Sequence, residues 1–236
     1  MRVMAIGIHP DDVELGCGGT VALCARRGYE VVIVDLTRGE SASNGTPEER
    51  AAEASEAARI LGARRYTLDL PDAAVRAEDP EQTRAVVRAL RERRPEVVLA
   101  PNDDDPHPDH ASGGRLVQRA LYLAGVHGYA SGEGAAGAWR VPRVLVYSGR
   151  REVRPDLVVD TSDTFDLKLK AIAAHRTQFA AEGGRRPTRL NAPGFLAVVE
   201  ARDRIHGFAV GARHGEGFAL LSPILLDGFE VFGEGP

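Results

Sequence analysis

Short apolar runs set between helical patterns constrain this chain more than any other feature of its sequence. Residues 3–8, 31–36 and 97–100 read as buried strands, and residues 66–68 as a shorter one. Helical signals fill the gaps. Residues 19–27 precede Gly28, a suitable residue just past a helix end. Thr46-Pro47 opens a segment that runs to Leu61 before Gly62. Residues 81–93 are amphipathic and stop ahead of Pro95, and residues 109–123 also read as helix. Strands that are apolar on both faces and alternate with helices predict an α/β fold. Its sheet is mostly parallel, with helices on both faces. In the second half, residues 144–147 and 157–159 read as strands and 163–175 as helix, with loops over 125–137 and 181–194. No linker or repeat divides the chain, so residues 1–236 are expected to form one domain.

Open α/β sheets bind ligands beyond the carboxyl ends of their strands. The segments after Ile8, Leu36 and Ala100 therefore share one predicted rim. Two clusters fall there. His9-Pro10-Asp11-Asp12-Val13-Glu14 follows the first strand, and His107-Pro108-Asp109-His110 follows the strand that ends at Ala100. A catalytic zinc takes three ligands from His, Asp or Glu and keeps one position open. His9 and Asp12 reach one ion from a single loop, and His110 supplies a third ligand from a neighbouring strand end. Each cluster has another reading. The Asp11-Asp12 pair suits a helix cap or a magnesium site, and Asp109 complements a helix dipole. Both clusters on one rim favour the metal.

Other signals are weaker. Gly16-Cys17-Gly18-Gly19 resembles a phosphate-binding turn but lacks the dinucleotide spacing and a Walker lysine, so a tight turn beside the metal loop is expected. Asp103-Asp104-Asp105 reads as a solvated loop, and Arg38, Glu40, Arg202 and Glu216 as ordinary ion-pairing groups. Cys17 and Cys24 are expected roughly 10 Å apart across a helix start, beyond disulfide reach. The net charge of -4 offers no basic footprint for nucleic acid. No apolar run approaches the length of a membrane span, and the N-terminal residues lack a secretory pattern. A cytoplasmic protein is expected.

These motifs resemble the LmbE-like (PIG-L) deacetylases. The resemblance rests on residues 9–14, the following Leu15-Gly16-Cys17-Gly18-Gly19-Thr20, and residues 107–110. Leu36-Thr37-Arg38-Gly39-Glu40, residues 45–50, His175-Arg176-Thr177-Gln178-Phe179, Glu200-Ala201-Arg202 and residues 215–218 are similar to the bacillithiol-pathway N-acetylglucosaminyl-malate deacetylase branch. The resemblance implies a Rossmann-like fold and one zinc per chain on His9, Asp12 and His110. Asp11 falls on the family's general base. His107, in its protonated form, falls on the residue that polarises the substrate or stabilises the oxyanion, and Asp109 on the acid that orients it. Arg50 falls on a substrate-binding arginine. The implied partner is a small N-acetylated sugar, and the implied assembly is a homo-oligomer, with the hexamer as its expected form. Pro106 stands where many members of that branch carry arginine, and His206 and His214 stand where aromatic residues are common. The competing readings are a non-catalytic α/β module that holds magnesium and a nucleotide, and a zinc hydrolase of another amide or an ester.

Overall fold

Side chains along β1 (Arg2–Gly7) alternate between two buried layers. Val3 and Ala5 join one core cluster, and Met4 and Ile6 the other. A strand apolar on both faces needs cover on both, and the computed structural model, which describes residues 1–130, 132, 134, 136–180 and 184–225, supplies it. In chain order, β1 leads to α1 (Asp12–Arg26), β2 (Glu30–Thr37), α2 (Pro47–Leu61), β3 (Arg64–Leu70), α3 (Pro80–Arg93), β4 (Val97–Pro101) and α4 (Pro108–Ala124). Then follow β5 (Arg143–Tyr147), β6 (Leu157–Asp160), α5 (Phe165–Ala174), α6 (Arg176–Phe179), α7 (Phe195–Ala209) and β7 (Gly215–Leu220). The seven-stranded sheet has the order β3-β2-β1-β4-β5-β7-β6. Strands β1 to β5 are parallel, and β7 is antiparallel to both its neighbours. Helices α3 and α4 cover one face, and α1, α2 and α5 the other. The α/β expectation is met.

After β3 the chain returns to the far side of β1 to place β4. That reversal opens a crevice between the carboxyl ends of β1 and β4, where such sheets bind ligands. The two histidine clusters emerge at these two strand ends. Local signals set the helix starts. Thr46 and Glu49 form a reciprocal capping box at α2, and the Asp79 carboxylate caps α3.

The first helix differs from expectation. It starts at Asp12 rather than near residue 19, with a non-helical break at Cys17 (φ -150, ψ 24). Gly16 and Gly18 thus flank a kink where two helical segments meet, so the expected turn is present as a break within α1. A Cβ on Gly16 would stand 2.2 Å from Tyr147 Cδ2, so the missing side chain is what lets α1 press against the sheet. Cys17 and Cys24 are free thiols. Positions 131, 133, 135 and 181–183 of the two expected loops lie outside the described residues. Among the described residues, no helix is long and apolar enough to cross a membrane.

Helix α7 and strand β7 gave no sequence signal. Helix α7 follows Gly194 with no side-chain cap, and it turns Val198, Ile205 and Phe208 outward. Strand β7 opens Gly215-Glu216-Gly217, a poor strand sequence. A buried charge cluster fixes both. Lys168 Nζ lies 2.6 Å from Asp203 Oδ2 of α7 and 2.7 Å from Glu216 Oε1 of β7, and Glu216 also accepts from the amides of Gly19 and Thr20. Replacing Lys168 with alanine leaves two buried carboxylates without their cation, which costs about 3–5 kcal/mol. Urea denaturation is expected to show that loss. An unchanged midpoint would mean that the cluster is solvated.

Candidate active site

Asp12 opens α1, and its Oδ2 turns back onto its own loop. It accepts from the amides of Ile8 (3.2 Å) and His9 (2.8 Å). Oδ1 is thereby directed at His110 Nε2, 3.3 Å away. His110 lies in the first turn of α4, where Pro108 takes the first helical position. Its Nε2 stands 3.3 Å from His9 Nδ1, and His9 Nδ1 stands 3.5 Å from Asp12 Oδ2. Three side chains from two strand ends thus converge.

Their spacing fits a metal. Ligands held at about 2.0–2.1 Å in a tetrahedral site stand roughly 3.3–3.4 Å apart. The outward-facing ring nitrogens also have partners. His9 Nε2 is 3.0 Å from Asp72 Oδ1, and His110 Nδ1 is 3.5 Å from Asp105 Oδ1. Carboxylates behind imidazoles are the usual second layer of a metal site. His9, Asp72 and Asp109 also cluster closely enough to hold an ion. Both Asp72 oxygens accept amides, from Ser41 and Ala73, and Asp109 Oδ2 accepts from Ala73, whereas Asp12 keeps Oδ1 clear of amide donors and turned to His110. The first set is the better ligand group.

The local field calls for a cation. Burial alone lowers the pKa of His9, but hydrogen bonds to Asp109, Asp12 and Asp72 outweigh it and hold the imidazole well above its ordinary value. His110 is raised in the same way: burial opposes the shift, and Asp12 and Asp105 overcome it. Burial pushes Asp11 up to about 6, against the lowering pull of Arg50.

The sequence did not single out Asp72, and it assigned Asp105 to a solvated loop. Asp105 is instead buried, accepting from the amides of His107 (2.8 Å) and Arg150 (2.7 Å). Its bond to an amide two residues on is the aspartate turn that residues 103–107 could have signalled. Asp72 follows β3, on the same rim as the other clusters.

His107 and Asp109 meet through the Asp109 backbone. The Asp109 carboxylate points away from His107, to Ala73 N (2.7 Å) and towards His9 Nε2 (3.6 Å). The Asp109 backbone amide is what orients His107, donating to its Nδ1 at 3.2 Å as His107 caps α4. With Nδ1 accepting that amide, Nε2 is left as the ring's donor nitrogen. Burial and the charges of His110 and His9 lower its pKa. Arg50 is 3% exposed, and its guanidinium bonds Gly39 O, Pro10 O and Asp11 Oδ2. It borders the cavity, but protein oxygens engage both its terminal nitrogens.

These groups floor a cavity of about 400 Å³, within the range of small-molecule sites. Leu190, Phe195 and Val199 contribute apolar wall, and Arg150, Arg189 and Arg202 add positive charge.

A parallel sheet with a His/Asp metal-type cluster at its switch point defines the class of this protein. Residues 4–121 match the family model described as PIG-L, GlcNAc-PI de-N-acetylase. The chain is 31% identical to diacetylchitobiose deacetylase of Thermococcus kodakarensis, over 75% of this chain and 70% of that protein. It is 33% identical to 4-oxalmesaconate hydratase of Pseudomonas putida, over 72% and 70% respectively. The solved structure of a conserved protein from Thermus thermophilus superposes with a TM-score of 0.83 at 37% identity, covering 95% of this chain and 96% of that one. The chain belongs to the PIG-L (LmbE-like) family.

Proposed function

We propose that the protein is a zinc-dependent N-deacetylase that hydrolyses the acetamide of an N-acetylglucosamine conjugate, with N-acetylglucosaminyl malate as its substrate. The observation that carries this reading is the convergence of His9, Asp12 and His110 beside Asp11 in a sugar-sized cavity. His9, Asp12 and His110 would hold the metal. A bound zinc supplies a Lewis acid for the amide carbonyl and lowers the pKa of water to about 7. The chain's own groups do the rest. Asp11 takes a proton from the attacking water and is placed to hand it to the departing amine. His107 Nε2–H donates to the carbonyl oxygen as negative charge builds there. Asp109 and Asp72 hold His9, and Asp105 holds His110. Two similar proteins are named as deacetylases of N,N'-diacetylchitobiose and of an inositol-linked acetamido sugar, which supports an acetamido sugar here.

An acidic aglycone finds support on the cavity wall. Arg150 and Arg189 line it, and neither side chain has a hydrogen-bond or ion-pair partner among the described residues. They offer the positive charge that Pro106 does not. The outward apolar side chains of α7 support a homo-oligomer.

Similarity to the Pseudomonas hydratase favours one second reading, the addition of water to an unsaturated carboxylic acid. One experiment separates the two. The zinc-loaded protein is assayed for acetate from N-acetylglucosaminyl malate and from free N-acetylglucosamine. Acetate release, faster from the malate conjugate, is expected. No acetate from any acetamido sugar, together with hydration of an unsaturated acid, overturns the proposal.

The carboxylates behind the ligands give a further expectation. Asp72→Asn and Asp105→Asn should each weaken zinc binding by roughly 10–100-fold while leaving a folded protein. Competition with a chelator reads this directly, and unchanged affinity in both variants would remove their supporting role.

A further inference from the structure

Asp11 has φ 124 and ψ -21, a conformation that L side chains rarely adopt. Asp69, Ala73 and Arg94 also have positive φ, but they lie at 48 to 60 in the left-handed basin and are exposed. Asp11 is buried, and its strain must be held by its surroundings.

Arg50 is the side chain that grips it. Nη2 donates to Pro10 O (2.6 Å), the carbonyl of the peptide leading into Asp11, and to Asp11 Oδ2 (3.3 Å). One nitrogen thus fixes both the peptide plane before Asp11 and the direction of its carboxylate. Nη1 donates to Gly39 O at 2.8 Å and anchors the fork on the opposite wall. Arg50 is itself set in the first turn of α2, its amide bonded to Thr46 O, behind the Thr46–Glu49 capping box. Gly39 makes room for the guanidinium: a Cβ there would lie 1.8 Å from Nη1.

We propose that Arg50 is a positioning residue that holds Asp11 in its strained backbone and aims its carboxylate into the cavity. Its catalytic consequence rests on the reading of Asp11 as the base. Its structural consequence does not.

Two variants test it, Arg50→Lys and Gly39→Ala. Lysine keeps the charge and loses the fork, and alanine at 39 displaces the fork with Arg50 intact. Each is expected to lower kcat roughly 10–100-fold, the scale set by misplacing a reacting group by about an ångström. KM should stay within about twofold and zinc content should not change, because the loss falls on the placement of the base. In an Asp11→Asn background, Arg50→Lys should cause no further loss of kcat. A rise in KM with kcat intact makes Arg50 a substrate ligand and overturns the proposal, as does a full additional loss in the double variant. Crystal structures of the two variants give a readout independent of turnover. Asp11 is expected to leave the positive-φ region in both. Persistence near φ 124 in both overturns the clamp, even if the protein proves to catalyse a different reaction.

Discussion

Replacing His110 with alanine is expected to remove the metal and the turnover together. Two ligands would remain, His9 and Asp12, and both come from the loop after β1. His110 is the member that joins that loop to α4, so its loss opens the site rather than trimming it. Outer-layer partners already cost 10–100-fold in affinity, so loss of a ligand should cost more than about 10²-fold. The remaining carboxylates would then favour a proton on His9, which competes with metal. Acetate release should fall by at least roughly 10³-fold, the scale of a lost electrostatic stabiliser. Metal analysis and acetate assay on one preparation check both halves. A variant that keeps its metal refutes the ligand role of His110. A variant that loses metal yet keeps turnover refutes the metal's part in the reaction.

The second large effect belongs to Asp11→Asn. Asparagine has the same shape, and its oxygen can still accept from Arg50, so the loop geometry should survive. It cannot take a proton from water at neutral pH. Loss of a general base costs typically 10²–10⁴ in rate, and kcat is expected to fall within that range with zinc retained. The contrast with His110→Ala is informative: one variant keeps the metal and loses chemistry, and the other loses both. Full activity in Asp11→Asn would assign the base elsewhere.

Much of the fold was legible because β1, β2 and β4 are apolar on both faces, a pattern that only a covered parallel sheet tolerates. The convergence of His9, Asp12 and His110 was legible for a related reason: they sit on the segments that leave β1 and β4, and strand ends form the rim. What escaped depends on contacts distant in sequence. Asp72 meets His9 across 63 positions, which no local pattern reports. β7 is held by Lys168 through Glu216, and the glycines around Glu216 disguise it as a loop. Gly16 looked like a turn residue because the ring of Tyr147, which excludes a side chain there, is remote in sequence. His107 and Asp109 were identified as neighbours, but the group of Asp109 that reaches His107 is its backbone amide. Spacing alone does not say which atom of Asp109 reaches the imidazole.

The most direct test of the central claim is to titrate zinc into metal-free protein and follow acetate release from an N-acetylglucosamine conjugate. Activity should rise in proportion to zinc and level off at one ion per chain. Full turnover before any metal is added, or one tightly held zinc with no acetate released from any acetamido sugar, would contradict it.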